Sequence, residues 1–152
     1  MEYCNGDEWK TWDGSEILSG ETIVGQCIYI RGISNTKVAG KSTNAWILTG
    51  TGIECNGNIE KLLDFATVNA GEHPSMAADC YNYMFYKCTN LTTAPSLPAT
   101  TLSSGCYRNM FYGCTNLTVA PSLPATTLEN YCYEYMFGDC TNLIAIPSLP
   151  AI

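Results

Sequence analysis

The C-terminal half of this chain is a tandem array with a fixed period of 26 residues. Cys80, Cys106 and Cys132 recur at that interval, and so do Cys88, Cys114 and Cys140. The first unit, CYNYMFYKCTNLTTAPSLPATTLSSG (residues 80–105), and the second, CYRNMFYGCTNLTVAPSLPATTLENY (106–131), are identical at 19 of 26 positions. The third, CYEYMFGDCTNLIAIPSLPAI (132–152), matches the second at 13 of its 21 positions. One such unit has a single apolar face and cannot bury it alone, so the units must stack. Like residues should then lie over one another. Phe85, Phe111 and Phe137 form one expected column, and Leu91, Leu117 and Leu143 another. Asn90, Asn116 and Asn142 form a third, expected to be buried and to hydrogen-bond the backbone of the next coil.

Inside each unit the pattern changes once. Tyr107, Met110, Phe111 and Cys114 fall at i, i+3, i+4 and i+7, the stripe of an amphipathic helix. The same stripe recurs as Tyr81, Met84, Phe85, Cys88 and as Tyr133, Met136, Phe137, Cys140. The TNLTxAPSLP that follows suits a short strand, rich in β-branched and apolar residues. Pro121 and Pro124 limit its length, because proline donates nothing to a ladder. The expected fold class is an α/β repeat in which each 26-residue coil is a short helix, a turn, a short strand and a turn.

CYRNMFYGCTNLTVAPSLP resembles the leucine-rich repeats of BspA-like bacterial surface proteins, which carry F-x-x-C-x-x-L in each coil followed by a proline-bounded strand. The matching residues are Phe85-x-x-Cys88-x-x-Leu91, Phe111-x-x-Cys114-x-x-Leu117 and Phe137-x-x-Cys140-x-x-Leu143. GNIEKLLDF (57–65) is similar to the segment that leads into such arrays. The chain departs from the pattern in its 26-residue unit, its second cysteine per coil and its lack of a recognisable closing cap. The resemblance implies a leucine-rich repeat solenoid at the cell surface or outside the cell. It implies adhesion to, or recognition of, a host or microbial surface protein or glycan, with no catalysis. The uncapped end suggests a fragment, or an edge covered by a partner. From that edge, residues 149–152, comes the competing expectation of a structural component of a surface layer or virion, self-associating through its last coil.

Residues 1–56 do not repeat. Residues 26–31 (QCIYIR) and 45–49 (AWILT) read as strands, and Asp13-Gly14, Ser19-Gly20 and Thr49-Gly50 as turns. They suggest a β-rich N-terminal cap, or else a separate binding module. Ile59, Leu62, Leu63 and Ala66 lie at helical spacing behind Asn58, an expected N-cap. Residues 57–79 are then a leading helix and loop, and 80–152 the repeats.

Composition removes several classes of function. With 14 acidic against 7 basic residues and a net charge of −7, the chain has no attraction for phosphate backbones, so no nucleic acid is expected. No run of about 18 apolar residues suggests membrane insertion. Met1-Glu2-Tyr3 opens no signal peptide, so a surface location would imply a trimmed or partial chain. No cofactor or metal is expected, the cysteine spacing being unlike a zinc ribbon. The one histidine, His73, sits in a loop-like GEHP and reads as solvated, not as the base for a cysteine nucleophile.

Nine cysteines raise the question of disulfides. Two cysteines eight residues apart on a helix are separated by about 12 Å, beyond the ~7 Å a disulfide tolerates. Cys88, Cys114 and Cys140 therefore read as buried thiols. Cys80, Cys106 and Cys132 stay open between thiols and bridges from coil to coil.

Positions that differ between units mark the expected solvent side of the helix. They are Asn82/Arg108/Glu134, Tyr83/Asn109/Tyr135, Tyr86/Tyr112/Gly138 and Lys87/Gly113/Asp139. Eight of the ten tyrosines lie in the array, and tyrosine offers large contact area at low entropy cost. The candidate partner-binding residues are Tyr83, Tyr86, Arg108, Tyr112, Glu134 and Tyr135, whereas Tyr81, Tyr107 and Tyr133 read as core edge.

Overall fold

The structure, a computed structural model, describes residues 1–4, 8–13 and 28–150. Cys27, most of the expected turns at 13–14 and 19–20, and residues 151–152 of the C-terminal edge lie outside the described residues. The chain divides into two compact units, Met1–Asn35 with Glu60–Pro74, and Thr36–Ile59 with Ser75–Ile152.

In the first unit β1 (Glu2–Cys4) lies between β2 (Trp9–Thr11) and β3 (Tyr29–Arg31), antiparallel to both. Tyr3 stands opposite Lys10 on one side and Ile30 on the other. Of the strand expected at 26–31, residues 29–31 are formed as β3, and residues 26–27 lie outside the described residues. Arg31 joins the strands to the following helix: its guanidinium lies 3.9 Å from the Trp9 ring and 4.0 Å from the Phe65 ring, and its Nε donates to Glu2 at 2.7 Å.

The helix α1 (Lys61–Asn69) buries Leu62 and Leu63 and is broken by an extended Asp64 (φ −149°, ψ 104°). Asn58 does not cap it; Glu60 holds the position before it and makes no capping bond. The loop after β3 bonds backbone groups that the break at Asp64 leaves without helical partners. The Gly32 N–H donates to Lys61 O at 2.7 Å, the Phe65 N–H to Gly32 O at 3.2 Å, and the Asn35 N–H to Leu63 O at 2.9 Å. A Cβ on Gly32 would collide with the Leu62 carbonyl, so only glycine permits this approach.

The second unit corrects the expected fold class. None of its described residues forms an α-helix, and a helix-and-strand leucine-rich repeat solenoid is not the fold of this chain. The described residues are mostly turn, loop and small sheet, with one α-helix and two small sheets. The backbone explains the error. Between the stripe residues, every fourth residue has positive φ: Asp79, Tyr83 and Lys87 along the first turn segment, Gly105, Asn109 and Gly113 along the second, Tyr131, Tyr135 and Asp139 along the third, each segment opening one residue before its repeat. A left-handed residue at that spacing interrupts any run of i→i−4 bonds. The segment becomes a chain of tight turns. The N–H groups of Asn82, Met84, Tyr86 and Cys88 donate three residues back. The intervening Asp79, Tyr81, Tyr83, Phe85 and Lys87 donate outward to Ser104, Cys106, Arg108, Met110 and Tyr112, along the next turn segment. Gly105, Tyr107, Asn109, Phe111 and Gly113 do the same to the third. Four-residue turns bury Tyr81, Met84, Phe85 and Cys88 on one side, as a helix would.

Strand structure is equally local. Among the described residues of the array, the first repeat alone has a strand, β5 (Leu91–Thr93), parallel to β4 (Ile53–Glu54). In the second repeat Val119 and Thr127 make single bridges to Thr93 and Thr101. Residues 45–49 are not a strand; a 3-10 turn at Ser42–Asn44 leads to Trp46, whose N–H donates to Met84 O at 2.7 Å. With Val38, Ala39, Ile53, Cys55 and Ile59, which also donate to carbonyls of the first repeat, residues 38–59 cover that repeat's outer side.

Side chains stack along the array. Phe85 and Phe111 lie 5.5 Å apart at 3°, and Phe111 and Phe137 5.7 Å apart at 5°. Tyr81–Tyr107 and Tyr107–Tyr133 stack at 5.6 and 6.1 Å. Leu91 and Leu117 are fully buried, and Leu143 only partly. The asparagine column differs from expectation. Asn90 donates from Nδ2 to Leu48 O at 3.4 Å in the preceding layer, while Asn116 and Asn142 are exposed.

Candidate functional site

The six expected binding residues fall into two groups. Tyr83, Tyr86 and Tyr112 form a continuous aromatic row: Tyr83 meets Tyr86 edge-on at 5.2 Å, and Tyr86 stacks on Tyr112 at 5.4 Å. All three remain partly exposed, and Tyr135 is 66% exposed. The row ends at the third repeat because Gly138 occupies the equivalent position. A Cβ there would come within 2.7 Å of the Tyr112 ring, which leans on the glycine backbone. The Tyr112 hydroxyl bonds Asp139, and that carboxylate, by bond and by charge, pushes the phenol above its ordinary value. Lys87 Nζ lies 5.2 Å from the Tyr86 ring centre. An open cleft of about 340 Å³, bounded by Trp46, Ile47, Tyr86 and Lys87 among others, continues from the row.

Arg108 and Glu134 make the second group. They pair at 2.5 Å across the second and third repeats, with the guanidinium 5.5 Å from the Tyr131 ring. Both are half-buried, so each is engaged chiefly with the other. Variation between units proved an uneven guide to the surface. Asn82 and Asn109, at two of the varying positions, are buried, Asn82 donating to Asp79 Oδ1 at 3.0 Å. Two of the four varying offsets, 83/109/135 and 87/113/139, are left-handed backbone positions, where glycine and asparagine are the residues of least strain. The readable signal is Gly105, Asn109 and Gly113, spaced by four where the first repeat passes into the second.

The eight described cysteines are free thiols. Burial pushes Cys55 up to about 11, and it likewise raises Cys80, Cys88, Cys114, Cys132 and Cys140. A thiol held protonated is a poor nucleophile. His73, in the other unit, is not simply solvated. Its Nδ1 lies 2.9 Å from both carboxylate oxygens of Glu60, a residue only 1% exposed. Among the described residues, no three His, Cys, Asp or Glu side chains are grouped to hold a metal ion, and no helix is long and apolar enough to cross a membrane.

Comparison of the chain with protein-family models, with curated proteins and with solved structures finds no match. The functional reading therefore rests on the chemistry of these residues.

Proposed function

We propose that this chain is a non-catalytic recognition protein that presents its tyrosine row to a surface protein or glycan, outside the cell or at its surface. The observation that carries the reading is the row itself: Tyr83, Tyr86 and Tyr112 in mutual contact, partly exposed, with Tyr135 open beside them. Aromatic faces fixed on a hydrogen-bonded backbone lose little entropy on binding and supply the anchors on which interfaces depend. The likeness of the F-x-x-C-x-x-L segments to BspA-like surface proteins supports the location, carried here without the leucine-rich repeat fold. Thiols raised by burial support a role in which no cysteine serves as a catalytic nucleophile.

The test is a glycan and matrix-protein array probed with the wild type and with Tyr86→Ala/Tyr112→Ala. Binding that falls at least tenfold in the variant, at unchanged melting temperature, supports the row as the contact surface. Equal binding by both proteins removes it.

A second reading, structural assembly through the last repeat, has its own supporting observation. The N–H groups of Tyr131, Tyr133, Tyr135, Phe137 and Asp139 meet no backbone carbonyl among the described residues, although their equivalents in both earlier turn segments do. Ile144, Ile146 and Leu149 are exposed on the same repeat. This edge presents donors, so two copies facing each other about a two-fold axis would set donor against donor. Assembly would need an acceptor edge in a head-to-tail arrangement, which closes into a ring or grows as a filament. Light scattering that stays monomeric across a hundredfold concentration range would eliminate self-assembly.

A further inference from the structure

We propose that Cys80 and Cys106 form an oxidation site whose product is a disulfide joining the first repeat to the second. The two cysteine columns are built differently. In one, every thiol donates to a backbone carbonyl of the preceding layer: Cys88 to Trp46 O at 3.0 Å, Cys114 to Phe85 O at 3.1 Å and Cys140 to Phe111 O at 3.1 Å. Each of these is satisfied as a thiol. In the other column Cys80 Sγ instead faces Cys106 Sγ at 3.0 Å, about 1 Å beyond the ~2.05 Å bond. The Tyr81 N–H donates to the Cys106 carbonyl at 3.0 Å and holds the two residues abreast. Cys132, the third member, directs its thiol to the carbonyls of Glu129 at 2.9 Å and Ser103 at 3.4 Å. The column therefore contains one pair, not a chain of three.

The oxidant required is a small-molecule disulfide such as oxidised glutathione. One cysteine thiolate attacks a sulfur of that disulfide, forming a mixed disulfide and releasing one small thiolate. The second cysteine sulfur then displaces the other small thiolate and closes the Cys80–Cys106 bond. Two cysteine thiols lose two electrons and two protons, and the small disulfide takes up both to become two thiols. Neither cysteine has exposed surface in the folded array, and burial holds Cys80 as a thiol, so the bond closes while the repeats assemble and is shielded afterwards.

The experiment refolds the reduced, denatured full chain in a mixture of oxidised and reduced glutathione, and in parallel with reductant alone. Free thiols are alkylated under denaturing conditions and peptides mapped by mass spectrometry. The expected product carries a linked peptide pair joining Cys80 to Cys106. It melts roughly 7–14 °C above the reduced protein, the effect of closing a loop of this size in the unfolded chain. Cys88→Ser keeps the linked pair, whereas Cys80→Ser lacks it and gains no such rise in melting temperature. Folded wild type with both cysteines alkylated after oxidative refolding overturns the proposal. So does a bond from Cys106 to Cys132 in place of Cys80.

Discussion

The first repeat and the last share their motif but not their structure. In residues 80–105 the segment TNLTT forms β5, Leu91 is fully buried, and a preceding layer supplies β4 as partner. In residues 132–150 the segment TNLIA forms no strand, Leu143 is partly open and Ile144 is 83% exposed. The local sequence is nearly constant, so the difference comes from the neighbours. A strand of three residues gains too little on its own and appears only where another backbone offers a ladder. The turn ribbon behaves otherwise. It keeps its left-handed positions in all three repeats, because its turn bonds are local and need no neighbour.

The largest expected effect tests whether burial in the stack or local sequence sets stability. Phe111 lies between two rings with no exposed surface, while Phe137 has a ring on one side and is partly exposed. Phe111→Ala should cost about 3–5 kcal/mol, through lost burial and the cavity left behind, and Phe137→Ala about 1–2 kcal/mol. Denaturant titrations of both variants measure this. Equal losses would mean that the last repeat is covered in solution.

A somewhat smaller effect, with a defined pH range, comes from the thiols. Folding raises Cys55 from 9.0 to about 11 by burial, and Cys114 in the middle repeat is raised too. The unfolded chain releases these protons first, so the advantage of the folded state is complete below pH 9 and is lost as pH rises. For Cys55 alone the loss between pH 9 and 11 is about 2–3 kcal/mol. Melting temperature should fall steeply across that interval. Cys114→Ala should flatten the fall more than Cys140→Ala, since Cys140 is less buried. A flat profile to pH 11 would show the thiols to be solvated or already bonded.

These contrasts also show what the sequence could and could not reveal. The 26-residue period placed the phenylalanine column, because identical side chains at a fixed interval leave stacking as the way to bury them; Tyr81 and Tyr107, expected only at the core edge, stack in the same way. It misread the backbone between them. Tyr81, Met84, Phe85 and Cys88 satisfy a helical stripe, but a succession of four-residue turns buries the same four positions. The tyrosine row was legible as composition and variation, and Tyr83, Tyr86 and Tyr112 do meet. Its limit at Gly138 and the mutual pairing of Arg108 with Glu134 depend on contacts across repeats, which no single repeat encodes. The approach of Gly32 to the Leu62 carbonyl is likewise long-range.

A smaller effect of about 1–2 kcal/mol tests the backbone directly. Lys87 (φ 58°) and Gly113 (φ 73°) occupy equivalent left-handed positions, one with a residue that resists the conformation and one with the residue that suits it. Lys87→Gly should stabilise the protein by about 1 kcal/mol, and Gly113→Lys should destabilise it by about 1–2 kcal/mol. A Cβ at Gly113 would also press on the Lys87 side chain at 3.1 Å, which adds to the second loss. If the segment were helical the signs would reverse, because glycine weakens a helix and lysine favours it.

The smallest effect on stability belongs to Tyr135, the most exposed of the four tyrosines proposed for binding. Tyr135 also sits at a left-handed position, φ 52°, with 66% of its surface exposed. Tyr135→Asn would relieve some backbone strain and remove little packing, so its melting temperature should stay within about 2 °C of the wild type. Asparagine stands at the same position in the second repeat, as Asn109, and is buried there. The pair of residues thus separates two demands on one backbone site: Asn109 fits the turn, and Tyr135 keeps a ring in solvent at some cost to the turn. A binding loss in Tyr135→Asn without a fall in stability would show that the ring is retained for contact. Unchanged binding with a rise in stability would show that position 135 only tolerates tyrosine, and would confine the proposed recognition surface to Tyr83, Tyr86 and Tyr112.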